Sequence, residues 1–318
     1  MMSFSKSLQT AVLALTVLVF ASLPVRAEPL KLVLDWFVNP NHAPIIVADQ
    51  LGYFAEAGIE VEIIPPADPA APPRLVAAGA ADIAITYQPE LHLQIAADLP
   101  LVRIGTLIET PLNAVIVLKE SGIADLSAMN DTKVGYSVTG FEDAVLTVML
   151  RDAGVDMETV ELINVNFNLT SSLLSKQVDA VIGAYRNFEL TQLQIEGSEG
   201  LAFFPEEHGV PIYDELVFVA GKDALDDERL IAFMQAIEAA TVYLTNHPDE
   251  AWQAFLAAYP DLNDELNARA WVDTLPRFSK RPMALDQGRY ERFAAFLVER
   301  GLMEATVPLE TYAVELGQ

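Results

Sequence analysis

The sequence predicts an α/β protein of two lobes, each a mainly parallel sheet flanked by helices, with a helical C-terminal tail. Short β-prone runs alternate with helical segments from residue 30 to about 112, and the alternation restarts near residue 113. Such alternation is typical of βαβ units in a parallel sheet. A chain of 318 residues also exceeds the roughly 100 to 200 residues of one domain, so two lobes are expected.

The first 27 residues resemble an export signal rather than part of the fold. Lys6 gives a weak positive start, residues 10–23 are apolar, and Ala27 ends a small-residue cleavage motif. This pattern predicts a cleavable secretory signal peptide. The chain has no cysteine, so the lipid-bearing cysteine of a bacterial lipoprotein is absent. We therefore expect a freely diffusing periplasmic protein.

The charge excludes several classes of partner. The formal net charge is −26, and it becomes about −28 once the leader with its two basic residues is removed. Such a surface repels nucleic acid and anionic lipid. We expect the acidity to serve solubility, and it argues only weakly against an anionic ligand because a pocket can differ from the global field.

Lobe 1 is predicted from residues 28–112 plus 220–318, which makes it discontinuous, and lobe 2 from residues 113–219. In lobe 1 the predicted strands are 30–34, 61–64, 82–85 and 102–108, with helices at 43–50 and 74–79. Asn41 is a plausible N-cap of the first helix, and Pro44 suits its first turn. Both crossings between the lobes are extended runs, which suits a hinge around a ligand cleft.

Lobe 2 and the tail repeat this logic. The predicted strands of lobe 2 are 114–118, 133–136, 160–165 and 179–183, and its helices are 123–129, 141–153 and 169–175. A strand at 213–220 is expected to return the chain to lobe 1. The tail shows helix-spaced apolar residues at 229–245, 248–258, 263–275 and 287–300. Trp252 and Trp271 lie in this tail and are predicted to be core.

Candidate binding residues follow the strands. In open α/β sheets, ligands bind beyond the carboxyl ends of strands. Trp36, Asn39 and His42 follow the first strand, and Tyr87 follows the third. The alternative for Trp36 is a core residue in an ordinary connection, and His42 could contact a ligand or support the helix start.

Two strand ends in lobe 2 supply the opposite rim. Ser137, Thr139 and Gly140 follow one strand and could offer N–H groups and hydroxyls to a ligand acceptor. Tyr185, Asn187 and Glu189 follow the strand at 179–183, and we expect Tyr185 and Glu189 to face Trp36 across the cleft. The alternatives are a core Tyr185 and a Glu189 that only serves the helix start.

Catalytic signatures are missing from the sequence. There is no cysteine nucleophile and no Gly-x-Ser-x-Gly elbow. The four histidines lack metal-ligand spacing, and no phosphate-binding glycine motif occurs. We therefore expect no enzyme activity, no metal and no cofactor.

Several segments together resemble a known family. They are LDWFVNPNHAP (34–44), GYF (52–54), PPADP (65–69), VAAG (76–79), DIA (82–84), YQP (87–89), GYSVTGFE (135–142) and GAYRNFE (183–189). The chain resembles the periplasmic binding proteins that deliver pyrimidine precursors of thiamine to an ABC importer, the ThiY-like proteins. The similarity covers most of the chain between the leader and Glu189 and is weaker in the tail.

The resemblance implies the two-lobed periplasmic-binding-protein fold of type II and a monomer that delivers its ligand to a membrane permease. It implies a pyrimidine stacked between Trp36 and Tyr185, with Glu189 on its amino edge. Asn39, Tyr87 and the turn at 137–140 match substituent contacts more loosely. Two alternatives remain: a binder of riboflavin or an organic sulfonate, and an enzyme resembling the thiamine-pyrimidine synthase, which carries a cysteine-rich motif and a lysine-bound pyridoxal cofactor.

Overall fold

The computed structural model describes residues 28–317, so the predicted signal peptide lies outside the described residues. Ten strands occur in this range: β1 (Leu30–Val33), β2 (Val61–Ile64), β3 (Ile83–Thr86), β4 (Leu101–Ile108), β5 (Asn113–Leu118), β6 (Lys133–Tyr136), β7 (Glu161–Asn164), β8 (Ala180–Tyr185), β9 (Gly200–Phe203) and β10 (Leu216–Gly221). They form two five-stranded sheets, in the orders β2-β1-β3-β10-β4 and β7-β6-β8-β5-β9.

Helices flank both sheets. The α-helices of the described residues are α1 (Ala43–Gln50), α2 (Tyr53–Glu56), α3 (Pro72–Ala77), α4 (Gln88–Ala96), α5 (Glu142–Asp152), α6 (Leu169–Leu174), α7 (Glu189–Ile195), α8 (Glu228–Asn246), α9 (Pro248–Ala258), α10 (Glu265–Thr274) and α11 (Gln287–Glu299). None of these helices is long and apolar enough to cross a bilayer.

Each sheet has four strands running one way and one strand running against them. In the first sheet β10 is antiparallel to both β3 and β4, whereas β1 is parallel to β2 and β3. In the second sheet β5 is antiparallel to β8 and β9, whereas β6 is parallel to β7 and β8. The predicted fold class, with mainly parallel sheets, flanking helices and a helical tail, is confirmed.

The chain passes between the sheets twice, from β4 to β5 and from β9 to β10. The predicted return strand at 213–220 is observed as β10, which begins at Leu216 and pairs with Ile108 of the first sheet. Residues 216–219 therefore lie in the first sheet, and the division of the chain into lobes stays a prediction.

One predicted helix is much shorter than expected. Residues 123–129 contain only a 3-10 turn, Leu126–Ala128, whose start is capped by the side chain of Asp125 accepting from the Ser127 N–H. Leu126 and Met129 are both fully buried in the core. The apolar spacing that predicted a helix therefore comes from two side chains that fix a short turn to the core.

The tail helices close over the first sheet and reach the cleft. Helices α8 and α9 pack on α1, and α10 packs against the 3-10 turn Pro40–His42. Trp271 is buried and lies against Trp252 and Phe255, with ring centroids 5.0 and 5.7 Å from its own. This packing places the end of α10 beside the turn that follows β1.

Candidate functional site

A cleft between the two sheets opens at the carboxyl ends of β1, β3 and β8. It encloses about 440 Å³ of space free of protein atoms, its mouth included. Its lining is aromatic, amide and carboxyl in character: Asp35, Trp36, Asn39, Asn41, Tyr87, Asn113, Phe141, Glu142, Gly183, Tyr185, Phe188 and Glu189.

The turn after β1 is held by its own side chains. Asn39 Oδ1 accepts from the Asn41 N–H at 2.8 Å, and Asn39 Nδ2 donates to the Phe37 carbonyl at 3.0 Å. Asn39, and not Asn41, is therefore the cap of the helical start, which corrects the predicted N-cap. Asn39 lines the cleft, but both ends of its amide are engaged by the turn.

His42 supports this turn from inside the protein. Its Nδ1 accepts from the Asn39 N–H at 3.3 Å, so the proton lies on Nε2, which donates to Asp35 Oδ1 at 2.9 Å. The ring is completely buried and does not line the cleft. Of the two predicted roles for His42, the structure supports the helix-start role.

Tyr87 links the same carboxylate to the other lobe. Its hydroxyl donates to Asp35 Oδ2 at 3.3 Å, and its ring stacks on Phe141 with centroids 5.1 Å apart and planes 22° apart. Burial raises the pKa of the Tyr87 hydroxyl well above its ordinary value, so it stays protonated and can donate. Tyr87 therefore forms an aromatic wall of the cleft in contact with both lobes.

Trp36 lies at the cleft and is only partly buried. Its ring meets Phe167 of the second lobe edge-on, at 4.6 Å between centroids and 70° between planes. It also packs on the apolar cluster beneath the second sheet. The alternative of Trp36 as an ordinary core residue of the first lobe therefore does not describe its position.

Two backbone N–H groups of the turn after β6 donate to carboxylates of the protein. The Ser137 N–H donates to Glu142 Oε2 at 2.7 Å, and the Gly140 N–H donates to Asp143 Oδ1 at 2.6 Å. Thr139 and Gly140 are exposed, and neither they nor Ser137 line the cleft. Two of the N–H groups that were expected to face a ligand therefore bind carboxylates of the protein instead.

Glu142 itself lies in the cleft, which sequence reasoning missed. Its carboxyl fills the space beside the Cα of Gly183: a Cβ built there would lie 2.3 Å from Glu142 Oε1. Burial, opposed by the N–H groups of Ser137 and Val138, raises the pKa of Glu142 to about 8. At neutral pH this carboxyl is mainly a neutral acid.

The turn after β8 carries the predicted pair Tyr185 and Glu189, and both line the cleft. Glu189 begins α7, and its Oε2 accepts from the Tyr185 N–H at 2.6 Å. Burial raises the pKa of Glu189 to about 7, against the two backbone donors that favour its charged form. The hydroxyl of Tyr185 is buried and has no hydrogen-bond partner among residues 28–317.

Asn187 joins three segments instead of facing the cleft. Its Nδ2 donates to Asn41 Oδ1 at 2.8 Å and to Thr274 Oγ1 at 2.7 Å. Asn41 belongs to the turn after β1, and Thr274 ends α10. The side chain of Asn187 is buried and therefore ties the second lobe to the first and to the tail.

Asn113 is the second residue that sequence reasoning missed. It begins β5, is fully buried, and lines the cleft next to Tyr185, its partner in the β5–β8 ladder. Its Oδ1 accepts from the Gly183 N–H at 2.9 Å, which fixes the amide orientation. Its Nδ2 has no hydrogen-bond partner within the part of the chain that the structure describes. Its position at a strand end was the available signal, but the side-chain direction required the structure.

The basic residue nearest the rim points elsewhere. Arg186 pairs with Glu206 through two hydrogen bonds of 2.6 and 3.0 Å, and its guanidinium lies 3.9 Å from the centroid of the Phe204 ring. No arginine or lysine lines the cleft among the residues that the structure describes. Within the same residues no cluster of acids and histidines could hold a metal ion.

Five of the ten predicted site residues thus come together in one cleft, and five do not. The first group is Trp36, Asn39, Tyr87, Tyr185 and Glu189; the second is His42, Ser137, Thr139, Gly140 and Asn187. The contribution of each to ligand binding stays a prediction.

Comparison with known proteins identifies the family of this chain. Residues 39–251 match the family model described as NMT1/THI5 like. A thiamine biosynthesis protein of Haemophilus influenzae is 53% identical over 91% of this chain and 92% of its own length. A formylaminopyrimidine-binding protein of Halalkalibacterium halodurans is 36% identical over 74% of this chain and 72% of its own.

More distant relatives are named as synthases rather than as binding proteins. A 4-amino-5-hydroxymethyl-2-methylpyrimidine phosphate synthase of Legionella pneumophila is 28% identical over 84% of this chain and 87% of its own. The family therefore includes proteins named as binders and proteins named as synthases.

Solved structures share the architecture. A Candida albicans protein described as having the generic periplasmic binding protein fold superposes with a TM-score of 0.69 at 18% identity, over 91% of this chain and 97% of that one. The alkanesulfonate-binding protein of Xanthomonas axonopodis pv. citri, bound to MOPS, gives a TM-score of 0.69 at 14% identity, over 90% and 99%. These likenesses establish the fold, and the sequence matches establish that this chain belongs to the NMT1/THI5-like family.

Proposed function

We propose that this chain is an extracytoplasmic solute-binding protein of an ABC importer and that it binds a thiamine-related aminopyrimidine of the formylaminopyrimidine or hydroxymethylpyrimidine type. The observation that carries the proposal is the composition of the cleft. Trp36 and Tyr185 come from different lobes, and Glu189 lies beside Tyr185, while no basic side chain lines the space among the described residues.

This composition suits a flat ring that carries hydrogen-bond donors. Offset stacking on an aromatic side chain contributes about 0.5 to 1.5 kcal/mol beyond burial. A hydrogen bond to a charged group contributes about 1.5 to 3 kcal/mol. Glu189 can supply that bond to an exocyclic amine, and a ring protonated beside it would strengthen it.

A sulfonate or nitrate ligand suits the cleft poorly. An anion calls for basic side chains or free backbone N–H groups. Here Arg186 pairs with Glu206 outside the cleft, and the donors of Ser137 and Gly140 already bind carboxylates of the protein. Riboflavin is the remaining flat-ring alternative, and a binding experiment can distinguish it from an aminopyrimidine.

The synthase alternative has less support. The resemblance implied a pyridoxal cofactor held by a lysine and a cysteine-rich motif in such enzymes. The chain contains no cysteine, and no lysine lines the cleft among the described residues. The relative named as a formylaminopyrimidine-binding protein, at 36% identity, is also more similar to this chain than the synthase of Legionella pneumophila, at 28%.

The importer role and the location rest on the layout of the chain. We propose that lobe 1 comprises residues 28–112 and 216–318 and lobe 2 residues 113–215, with the two crossing segments as the hinge. The family resemblance and the predicted leader support a periplasmic monomer that presents its closed form to an inner-membrane permease.

Tryptophan fluorescence tests the proposal because Trp36 lies in the cleft. The mature protein, beginning at residue 28, is titrated with formylaminopyrimidine, hydroxymethyl aminopyrimidine, riboflavin and an alkanesulfonate. We expect saturable changes with the two pyrimidines only. Trp36→Phe should abolish the change, whereas the control Trp252→Phe, which lies in the tail, should preserve it. Saturation by riboflavin or the sulfonate alone would contradict the proposal.

A further inference from the structure

Glu142 is a buried cleft residue to which the proposed function gives no task. It comes from the start of α5 in the second lobe and is 3% exposed. Its carboxyl packs on Gly183, while the carboxyl of Glu189 is bound to the N–H of Tyr185. Because Gly183 and Tyr185 are two residues apart on β8, the two anchoring points lie at most about 7 Å apart.

The position of the Glu142 carboxyl depends on the glycine. Gly183 has a φ of +89°, and any Cβ at this position would meet the carboxyl atoms of Glu142 at 2.3 to 2.7 Å. The N–H groups of Ser137 and Val138 hold the same carboxyl from the other side. The backbone therefore fixes this carboxyl in the cleft independently of Glu189.

The surroundings of Glu142 favour its neutral acid form. The charged groups that act on it are Glu90 of α4 and Glu215 before β10, and both raise its pKa in addition to burial. Tyr87 also faces it, as an uncharged phenol. No basic side chain opposes these acids in the cleft lining of the described residues. A buried carboxylic acid kept neutral in this way can donate a hydrogen bond.

We propose that Glu142 is a specificity-determining residue that donates a hydrogen bond to an uncharged oxygen on the ligand's side chain. This inference rests on the proposed function and deepens it. Glu189 serves the amino edge of the ring, and Glu142 serves the hydroxyl or formyl oxygen of the substituent. The unpartnered Nδ2 of Asn113, also at Gly183, is a second donor in the same region.

A second consequence concerns phosphorylated ligands. A phosphate ester would bring its negative charges into a buried cleft whose lining holds no arginine or lysine among the described residues. Burying a charge without a partner of opposite sign is costly. We therefore expect the cleft to bind the free pyrimidine more tightly than its phosphate.

Calorimetric titration of the mature protein at pH 6.5 tests this role with three probes: 4-amino-5-hydroxymethyl-2-methylpyrimidine, its deoxy analogue 4-amino-2,5-dimethylpyrimidine, and the phosphate ester of the first. We expect the parent to prefer the hydroxymethyl compound to the deoxy compound about tenfold, the effect of one good hydrogen bond. The phosphate ester should bind at least about 100-fold more weakly than the hydroxymethyl compound, because no basic side chain of the cleft lining, among the described residues, would pair with its charge.

Variants separate recognition from support of the fold. Glu142→Leu should lose the preference, giving a ratio near 1, whereas Glu142→Gln should retain most of it because the amide still donates. Gly183→Ala, which displaces the carboxyl without changing it, should also lose the preference. The control Asp143→Asn, outside the cleft, should keep the parental ratio.

The outcomes are distinguishable. An unchanged ratio in Glu142→Leu would mean that the residue only supports the turn and would overturn the inference. A loss in Glu142→Gln equal to that in Glu142→Leu would exclude the donor role. If the parent bound neither these probes nor formylaminopyrimidine, the proposed function would fail and this inference with it.

Discussion

Replacing Trp36 by alanine tests the stacking role of the first-lobe rim. The ring is half-buried, lines the cleft and meets Phe167 of the second lobe in a T-shaped contact. The substitution removes one stacking partner, at about 0.5 to 1.5 kcal/mol, together with the apolar burial that the ring provides. A total of about 2 kcal/mol is typical of a buried aromatic anchor and corresponds to roughly 30-fold weaker binding.

Calorimetry on matched variants measures this loss. Trp36→Phe keeps a smaller aromatic face and should lose less affinity than Trp36→Ala. Phe37→Ala is the matched control because Phe37 is the adjacent aromatic, is 43% exposed and does not line the cleft. We expect it to change affinity by less than about threefold. A folded Trp36→Ala protein that binds the pyrimidine within twofold of the parent would refute the reasoning.

Three further predictions concern buried polar groups. The complex should hold one proton between Glu189 and the ring nitrogen. Because the pKa of Glu189 is about 7 without ligand, affinity should fall above pH 7 by up to about tenfold per pH unit. Glu189→Gln should remove most of this pH dependence. Four buried carboxyls have pKa values raised from 4.5 to between about 7 and 8: Glu90, Glu142, Glu189 and Glu215. In this pH range the folded protein therefore binds more protons than the unfolded chain. The thermal midpoint should fall as pH rises from about 5 to 8.5. Asn187→Ala removes the amide that joins Asn41 and Thr274, so the ligand-free protein should become more open, with a larger radius of gyration in X-ray scattering.

Each of these predictions has a clear opposing result. Affinity that is independent of pH between 6 and 9, or a Glu189→Gln variant with parental affinity, would remove the proton-sharing role. A thermal midpoint that rises between about pH 5 and 8.5 would contradict the prediction that the buried acids have raised pKa values in the folded protein. An Asn187→Ala protein with unchanged scattering would show that the apolar contacts between the lobes maintain the closed shape without this amide.

The fold was largely predictable because its signals are local. Strands of four to eight apolar residues and helices with apolar spacing repeat in an order that leaves few topologies open. The region 123–129 was misread because the apolar spacing of Leu126 and Met129 satisfies a helix pattern and also a buried turn. The start of the return strand was predicted three residues early because extended residues before and inside β10 look alike in sequence.

The site was predictable only where strand ends determine it. The rule that ligands bind beyond the carboxyl ends of strands located Trp36, Tyr87, Tyr185 and Glu189. It could not show that Asn187 turns toward Asn41 and Thr274, because that contact joins residues 146 and 87 positions apart.

Glu142 and Asn113 line the cleft but were not predicted from the sequence. The place of Glu142 depends on the empty space at Gly183, a residue far away in sequence and conspicuous only as a glycine. The orientation of Asn113 depends on the N–H of that same glycine. Both are tertiary features, and a single sequence carries no local signal for either.

Direct binding of the proposed ligand tests the central claim most sharply. Isothermal titration of the mature protein with formylaminopyrimidine at pH 6.5, beside riboflavin and an alkanesulfonate, reports stoichiometry and affinity together. The aromatic and carboxyl lining of the cleft predicts one pyrimidine per chain with a dissociation constant of about 1 µM or tighter, and no heat from the sulfonate. Saturable binding of the sulfonate, with none of the pyrimidine, would contradict the account.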